Sequence, residues 1–311
     1  MIILEALKKP WKIISSRKIP FLSNLFSDSF YLKCFYRTAF NEKLNLRVPR
    51  NFNEKLQWLK LHDRHPIYMD MVDKYTAKEF VAERIGEEHI IKTYGVWDSF
   101  ENIDFDSLPN SFVLKCTHDS AGYVICKNKA SFDFDSARKK ITKCLKRNFY
   151  YVGREWPYKG IKPRVIAEEY MEDHILNELR DYKIFTFNGV PKVIHIVSNR
   201  QSSSEETYGD FFDMEYNHLD LTMGHRNAPQ CPEKPKNFEL MKKFSSVLAE
   251  GTIHLRVDFY EVDEQLYFGE LTFYQDSGIA NIKPEKWNNI LGSWIELSTD
   301  KKEVTCYEEK C

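Results

Sequence analysis

Residues Thr252–Tyr260 and Leu266–Phe273 alternate apolar and polar side chains on either side of Asp263-Glu264-Gln265. That pattern predicts an antiparallel hairpin, and a hairpin dictates which side chains meet. With the turn centred on Glu264, Asp258 stands opposite Glu270 and Arg256 opposite Thr272. Val257, Phe259, Tyr267 and Leu271 then share the inward face, and Arg256, Asp258, Glu270 and Thr272 share the other. Opposed side chains have Cβ atoms about 5 Å apart, where like charges repel. Two carboxylates tolerate that position when a cation sits between them. Hard oxygen donors on few positions, with room for water and phosphate, suit magnesium. A solvated strand face carries the same pattern.

The remaining elements mix without regular strand–helix alternation. Asn51–Leu61 predicts a helix capped by Asn51 or Asn53, with Phe52, Leu56, Leu59 and Lys60 at helical spacing. Pro66–Ile85 predicts one longer helix that stops at Gly86. Phe112–Lys115 and Tyr123–Cys126 read as strands, Ser136–Phe149 as a helix and Arg164–Tyr170 as a strand. Tyr182–Phe187 and Lys192–Val197 flank Asn188-Gly189, a strong hairpin signal that sets His195 opposite Tyr182, on the face away from Lys183. Asn237 caps a helix through Leu248. This mixture favours an α+β fold over a doubly wound sheet.

Lys plus Arg number 45 and Asp plus Glu 46, which argues against a globally basic nucleic-acid binder. The balance hides an asymmetry: the first 60 residues hold 12 Lys/Arg and 4 Asp/Glu. In residues 1–30 the basic side chains interleave with Trp11, Ile13, Ile14, Phe21, Leu22, Leu25 and Phe26. Such an arm either packs on the acidic body or lies on an anionic membrane surface. Seven cysteines, none in a C-x-x-C pair, argue against a disulfide framework or zinc site and fit a reducing cytosol. No run approaches the roughly 18 apolar residues of a spanning helix, and the N-terminus lacks a signal-peptide pattern. The expected location is cytoplasmic, with peripheral contact at the inner face of the cell membrane through residues 1–30.

Four further segments carry candidate chemistry. Phe112-Val-Leu-Lys115 is followed by Cys116-Thr-His-Asp-Ser-Ala-Gly122 and then Tyr123-Val-Ile-Cys126. A strand ending in Lys and a small, polar loop make an anion cradle, or an ordinary long hairpin. Val72-Asp73-Lys74-Tyr75-Thr76-Ala77-Lys78 lies on the early helix. Val165-Ile-Ala-Glu168-Glu169-Tyr170-Met171 leads to Asp181-Tyr182-Lys183. Arg154, Trp156 and Tyr158 suit an acceptor site, where an aromatic plane stacks on a sugar and Arg pairs with a carboxylate. They suit a packed loop equally well, and Arg200 is a further acceptor candidate. His62 and His65 lack a third ligand and read as structural.

The order of these elements, from Asp73 to Gly278, resembles the ATP-grasp superfamily. Within it the chain resembles the TupA-like ATP-grasp family of surface-polysaccharide biosynthesis. The segments that carry this are Asn53-Glu54-Lys55-Leu56-Gln57-Trp58, Arg154-Glu155-Trp156-Pro157-Tyr158, Asp181-Tyr182-Lys183-Ile184-Phe185, Arg256-Val257-Asp258 and Gly269-Glu270-Leu271-Thr272-Phe273-Tyr274, with Gly278. The resemblance covers about residues 40 to 290. It implies an ATP-grasp fold, two α+β subdomains clasping ATP, behind a mostly helical N-terminal region. The divisions expected are 1–60 for that basic region, 61–110 for an N-terminal subdomain, 111–167 for the lid and 168–311 for the C-terminal subdomain.

The resemblance also implies roles. Lys74 and Lys115 hold the α- and β-phosphates of ATP, and the loop with Thr117, His118, Ser120 and Gly122 closes over them. Glu168, Glu169, Tyr170 and Met171 form the hinge that reads adenine. Asp181 sits near the ribose, and Lys183 near the ribose or γ-phosphate. Asp258 and Glu270 bind magnesium (Mg2+) with Thr272 beside them, and Arg256 meets the transferring phosphate or the acceptor. Thr272 stands where many relatives carry Asn, and Ser120-Ala121-Gly122 where glycine pairs are usual. The activity implied is an ATP- and magnesium-dependent carboxylate–amine ligase that forms an acyl phosphate and joins an amino acid or related amine to a uronic acid glycan. The alternatives are a glycosyltransferase of the same pathway, a sugar kinase-like phosphotransferase, and a non-catalytic ATP-binding protein. The paired Asp73-Lys74 and Lys115 elements speak against the glycosyltransferase, whose nucleotide sugar does not need them.

Overall fold

The structure is a computed structural model that describes residues 11–14, 25–200 and 206–297. The basic arm expected over residues 1–30 lies mostly outside them, as do Cys306 and Cys311; Trp11–Ile14 is a single helical turn. Helix α1 spans Asp28–Phe40, and the Ser27 side chain accepts from the Phe30 amide at its start. Helix α2 spans Phe52–His62, with Asn51 as its cap: the Asn51 side chain accepts from Glu54 N.

The helix expected over Pro66–Ile85 is broken in two: α3, Ile67–Val72, and α4, Thr76–Ile85. The break falls at Asp73, whose backbone is extended. Its Oδ1 accepts from Tyr75 N at 2.9 Å and Thr76 N at 3.1 Å. A capping carboxylate thus outcompetes a continuous apolar stripe, and Lys74 leaves the helix to meet another loop.

Strands β1 (Thr93–Trp97), β2 (Phe112–Cys116), β3 (Tyr123–Cys126) and β4 (Val165–Glu169) form an antiparallel sheet ordered β1-β4-β2-β3. Helix α5, Phe134–Leu145, is capped by Asp133 and packs Ala137, Ile141 and Cys144 into this sheet's core with Phe112, Leu114 and Val165. It ends before Phe149, earlier than its sequence suggests.

A second sheet holds β5 (Asp181–Phe187), β6 (Val190–Ser198), β7 (Tyr208–Asp213), β9 (His254–Val262) and β10 (Gln265–Thr272), ordered β10-β9-β5-β6-β7. The short β8 (Thr222–Met223) pairs with β11 (Ile282–Lys283). Helices α2, α3, α4, α6 (Phe238–Leu248) and α7 (Lys286–Ser293) share one apolar core with the five strands. Gly292 lets α7 touch the Arg50–Phe52 backbone, where a Cβ would stand 2.7 Å from backbone atoms. The fold is α+β with antiparallel sheets. Among the described residues, no helix is long and apolar enough to cross a membrane, and Cys34, Cys116, Cys126, Cys144 and Cys231 are free thiols.

Two bulges decide which side chains face the cleft. The β9–β10 turn has two residues, Asp263 and Glu264, with φ of 49° and 69°, so Val262 pairs with Gln265. That register would place Asp258 opposite Gly269. A bulge between Phe268 and Glu270 inserts one residue and pairs Glu270 with Asp258 and Thr272 with Arg256, as the sequence pattern expects. Before the bulge, Leu266 and Phe268 are buried, and Tyr267 shares the face of Tyr260 instead of the core face expected for it.

The β5–β6 hairpin also starts from a two-residue turn, Asn188-Gly189, but its bulge works the other way. An extra residue, Lys192, follows Pro191, which has no N–H to offer a ladder. His195 therefore pairs with Lys183, not Tyr182, and lands on the cleft face.

Candidate active site

A cleft of about 660 Å³ opens between the two sheets. Lys74, Lys115, Asp119, Ser120 and Gly122 line it on one side, with Glu169, Tyr170 and Met171 along it. Asp181, Lys183, His195, Arg200, Arg256, Asp258, Glu270, Gln275 and Asp276 line the other. Most side chains expected to handle a nucleotide and a metal thus face one space.

The acidic pair is built around a guanidinium. Arg256 Nη2 lies 2.6 Å from Asp258 Oδ2, 2.9 Å from Glu270 Oε1 and 3.0 Å from Thr272 Oγ1. Arg256 Nε donates to Asp258 Oδ1 at 2.6 Å, and Nη1 donates to Gln275 Oε1. Lys183 Nζ donates to Asp258 Oδ2 at 2.6 Å and lies 3.8 Å from Asp181 Oδ2, which also takes Arg200 Nη1. Burial alone would raise the Asp258 carboxyl pKa; Arg256 and Lys183 outweigh it and hold it below the usual range. Burial likewise opposes ionisation of Asp181, but Lys183 and Arg200 keep its pKa low. Three oxygens thus converge on one cationic point, and Glu270 remains partly exposed to the cleft. Arg256 Nη2 holds the place between the carboxylates, and the donor types around it, two carboxylates and a hydroxyl, are those that suit a magnesium ion.

On the opposite wall Glu168 is a clamp. Its two oxygens meet Lys78 Nζ and Lys115 Nζ, each at 2.6 Å. Burial pushes its pKa up, yet the two lysines hold it at about 2. The Glu168 side chain therefore serves the lysines, while Glu169, Tyr170 and Met171 border the cleft. Lys74 bridges the walls: its N–H donates to Thr117 O at 3.0 Å, its Nζ donates to Asp119 O at 2.7 Å, and Nζ lies 4.0 Å from Glu270 Oε2.

The 117–122 loop is pinned from behind. Arg147 Nε donates to Asp119 Oδ2 at 2.7 Å, and the Cys144 thiol donates to the same oxygen at 2.9 Å. His118 is buried, and its Nε2 faces the carbonyls of Cys144 and Arg147 at the end of α5. Thr117 and His118 thus lie outside the cleft lining, while Ser120 and Gly122 face it. Gly122 is required by closeness: a Cβ would stand 2.1 Å from Cys144 Sγ.

The proposed acceptor residues divide. Arg200 lines the cleft. Arg154 is 2% exposed, stacks on Tyr31, Tyr150 and Tyr151 and lies 3.4 Å from Asp28, so it belongs to the packing of α1. Trp156 packs on the main core and Tyr158 on Phe149, and neither lines the cleft. Sequence reasoning missed His195, hidden by the Lys192 bulge. It also missed Gln275 and Asp276, whose signal was the polar run Gln275-Asp276-Ser277 shortly after a strand of site residues that ends at Thr272.

The TupA-like ATPgrasp family matches residues 54–296. Solved structures similar to this chain include D-alanine–D-alanine ligase from Bacillus anthracis complexed with ATP, at 16% identity and TM-score 0.38, covering 73% of this chain and 60% of that one. D-alanine–D-alanine ligase from Helicobacter pylori aligns at 13% identity and TM-score 0.40, over 79% of this chain and 71% of that one. The ATP-grasp ligase PsnB complexed with minimal precursor aligns at 8% identity and TM-score 0.38, over 67% and 54%. The chain spans less than two thirds of the length of the first of these ligases. No curated protein matches its sequence. With a family match that runs from α2 to beyond α7, the chain belongs to the TupA-like ATP-grasp family.

Proposed function

We propose that the protein is an ATP- and magnesium-dependent carboxylate–amine ligase, acting through an acyl phosphate. Its substrates would be an amino acid or related amine and a uronic acid of a capsular or O-antigen-type polysaccharide or precursor. The observation that carries this reading is the convergence of Lys74, Lys115, Lys183 and Arg256 with Asp258 and Glu270 on one cleft. Phosphoryl transfer needs placed cations more than a protein nucleophile.

In this reading Lys74 and Lys115 hold the ATP phosphates, with Lys115 aimed by Glu168. Ser120 and Gly122 cover the phosphates, and Glu169, Tyr170 and Met171 border the base. Asp181 and Lys183 lie toward the ribose and γ-phosphate. Asp258 and Glu270, with Thr272 beside them, would hold magnesium, which when bound neutralises phosphate charge. Arg256 and Lys183 steady the phosphoryl group as the acceptor carboxylate attacks it. Arg200 offers the acceptor a cationic edge. An amine then attacks the acyl phosphate and releases phosphate. The basic segment before α2 suits an anionic glycan or the inner face of the membrane.

The test is incubation with ATP, magnesium and matched pairs of uronic acid and amine. Amide with ADP and phosphate supports the reading. AMP and pyrophosphate sink the acyl-phosphate scheme. A melting temperature raised by UDP and not by ATP favours a glycosyltransferase instead.

A further inference from the structure

The sequence segment Asn53-Glu54-Lys55-Leu56-Gln57-Trp58 takes no part in the nucleotide chemistry above, yet it carries an unusual face. Asn53, Gln57 and Lys60 form a polar stripe along α2, with exposures of 1%, 0% and 0%. Buried polar groups cost free energy unless paired, and an apolar stripe would pack the helix as well. All three pair with one segment, residues 277–280. Asn53 Nδ2 donates to Ala280 O at 2.9 Å, and Asn53 Oδ1 accepts from Ala280 N at 3.1 Å. Gln57 Nε2 donates to Ser277 O at 3.0 Å and Gly278 O at 2.7 Å. Lys60 Nζ donates to Ser277 O at 2.8 Å, Gly153 O at 2.7 Å and Gln57 Oε1 at 3.1 Å. Ser277 Oγ donates in turn to Glu155 Oε1.

The segment so held is strained. Asp276, Ser277 and Gly278 have φ of 46°, 53° and 64°, three successive left-handed residues of which two carry a Cβ. Such backbone persists only where its surroundings over-determine it. The turn also borders the cleft: Gln275 accepts from Arg256 Nη1, and Asp276 lines the space beside it. We propose that Lys60, with Gln57 and Asn53, is a positioning residue of the site, holding the 275–278 turn in its left-handed form and, through Gln275, aiming the Arg256 guanidinium. Burial lowers the Lys60 pKa from its usual lysine value, and Glu155 opposes that pull. The rings of Phe35 and Tyr274 lie 5.5 and 5.7 Å from it.

The test compares Lys60→Met, Gln275→Ala and their combination. Amide exchange is followed at Ile279 and Ala280, whose N–H groups bond Asp276 O and Asn53 Oδ1. Lys60→Met should speed exchange there about tenfold or more while leaving the four-stranded sheet unchanged. Turnover rests on the ligase reading, and is measured as ADP release from magnesium-ATP. It should fall about 10- to 100-fold with KM for ATP within about twofold, because a shifted catalytic group loses rate more than binding. The double variant should lose little more than either single one, since both act through Arg256. Unchanged exchange at Ile279 and Ala280 overturns the proposal, as do fully additive losses. A wild-type protein that neither binds nor hydrolyses magnesium-ATP counts against the ligase reading alone, and the exchange result then decides. Should Lys60→Met not fold, Gln57→Leu, which keeps the charge, carries the same comparison.

Discussion

Asp258 Oδ2 and Glu270 Oε1, from neighbouring strands, lie 2.6 and 2.9 Å from the same nitrogen of Arg256. The two carboxylates are not equivalent. Asp258 is buried and neutralises Lys183 as well, whereas Glu270 is partly exposed. Glu270→Gln should therefore lower magnesium-dependent ADP release about 100-fold or more with little change in melting temperature. Asp258→Asn should lose as much turnover and also about 3 kcal/mol of stability, because it leaves two buried cations short of a counter-charge. Parallel turnover and melting measurements separate the two outcomes.

Glu168 offers a pH test. Its carboxyl is held at about 2 in the folded protein, against an ordinary value of 4.5. A depressed carboxylate pKa stabilises the fold above the unfolded value, and the benefit is lost as pH falls through the folded one. The wild-type protein should lose stability between about pH 4.5 and 2. Glu168→Gln should be less stable at pH 7 by about 3 kcal/mol and show a shallower acid limb, read from urea melts at stepped pH.

Gly122→Ala puts a methyl group 2.1 Å from Cys144 Sγ and 2.9 Å from Cys116 Cβ. The loop must move out from α5. Expected are a stability loss of about 1–3 kcal/mol and weaker ATP binding, checked by thermal melting and calorimetry. Gly122→Ala with Cys144→Ala should recover part of both, since the second change removes the nearest atom.

Asp73→Ala removes the acceptor for two amides at the start of α4 and the partner of Arg164, which lies 3.3 Å away. A loss of about 1–2 kcal/mol follows from the cap alone. Because Lys74 is the next residue, KM for ATP should rise as well. Asp73→Asn, which can still cap, should restore most of the stability.

The opposition of Asp258 and Glu270 was legible from side-chain alternation, although the turn proved to be one residue shorter than its centring on Glu264 implies. The Gly269 bulge restored the count. No such correction protected His195, where the Lys192 bulge reversed the face. Bulges are set by packing on both sides of a sheet, and alternation in one strand does not report them. The Asp73 break was masked by an unbroken apolar stripe; what makes it is the Asp73 carboxylate accepting from Tyr75 N and Thr76 N. Arg154 resisted sequence reading for another reason: Asp28 and Tyr31, which hold it together with the nearby Tyr150 and Tyr151, belong to α1, more than a hundred residues away.

Gln57 and Lys60 find their partners 220 and 217 residues further along the chain. During synthesis α2 therefore emerges long before the carbonyls that satisfy it. Until residues 275–280 arrive, its inner face carries an amide and an ammonium that no apolar surface will accept. The early helix cannot seal against the sheet on its own, and the cleft is completed only once the far end of the chain folds back. Contacts of such sequence separation carry a large loop-closure cost. Assembly of the Gln275–Gly278 turn and docking of the inner face of α2 are thus tied to each other through Gln57 and Lys60.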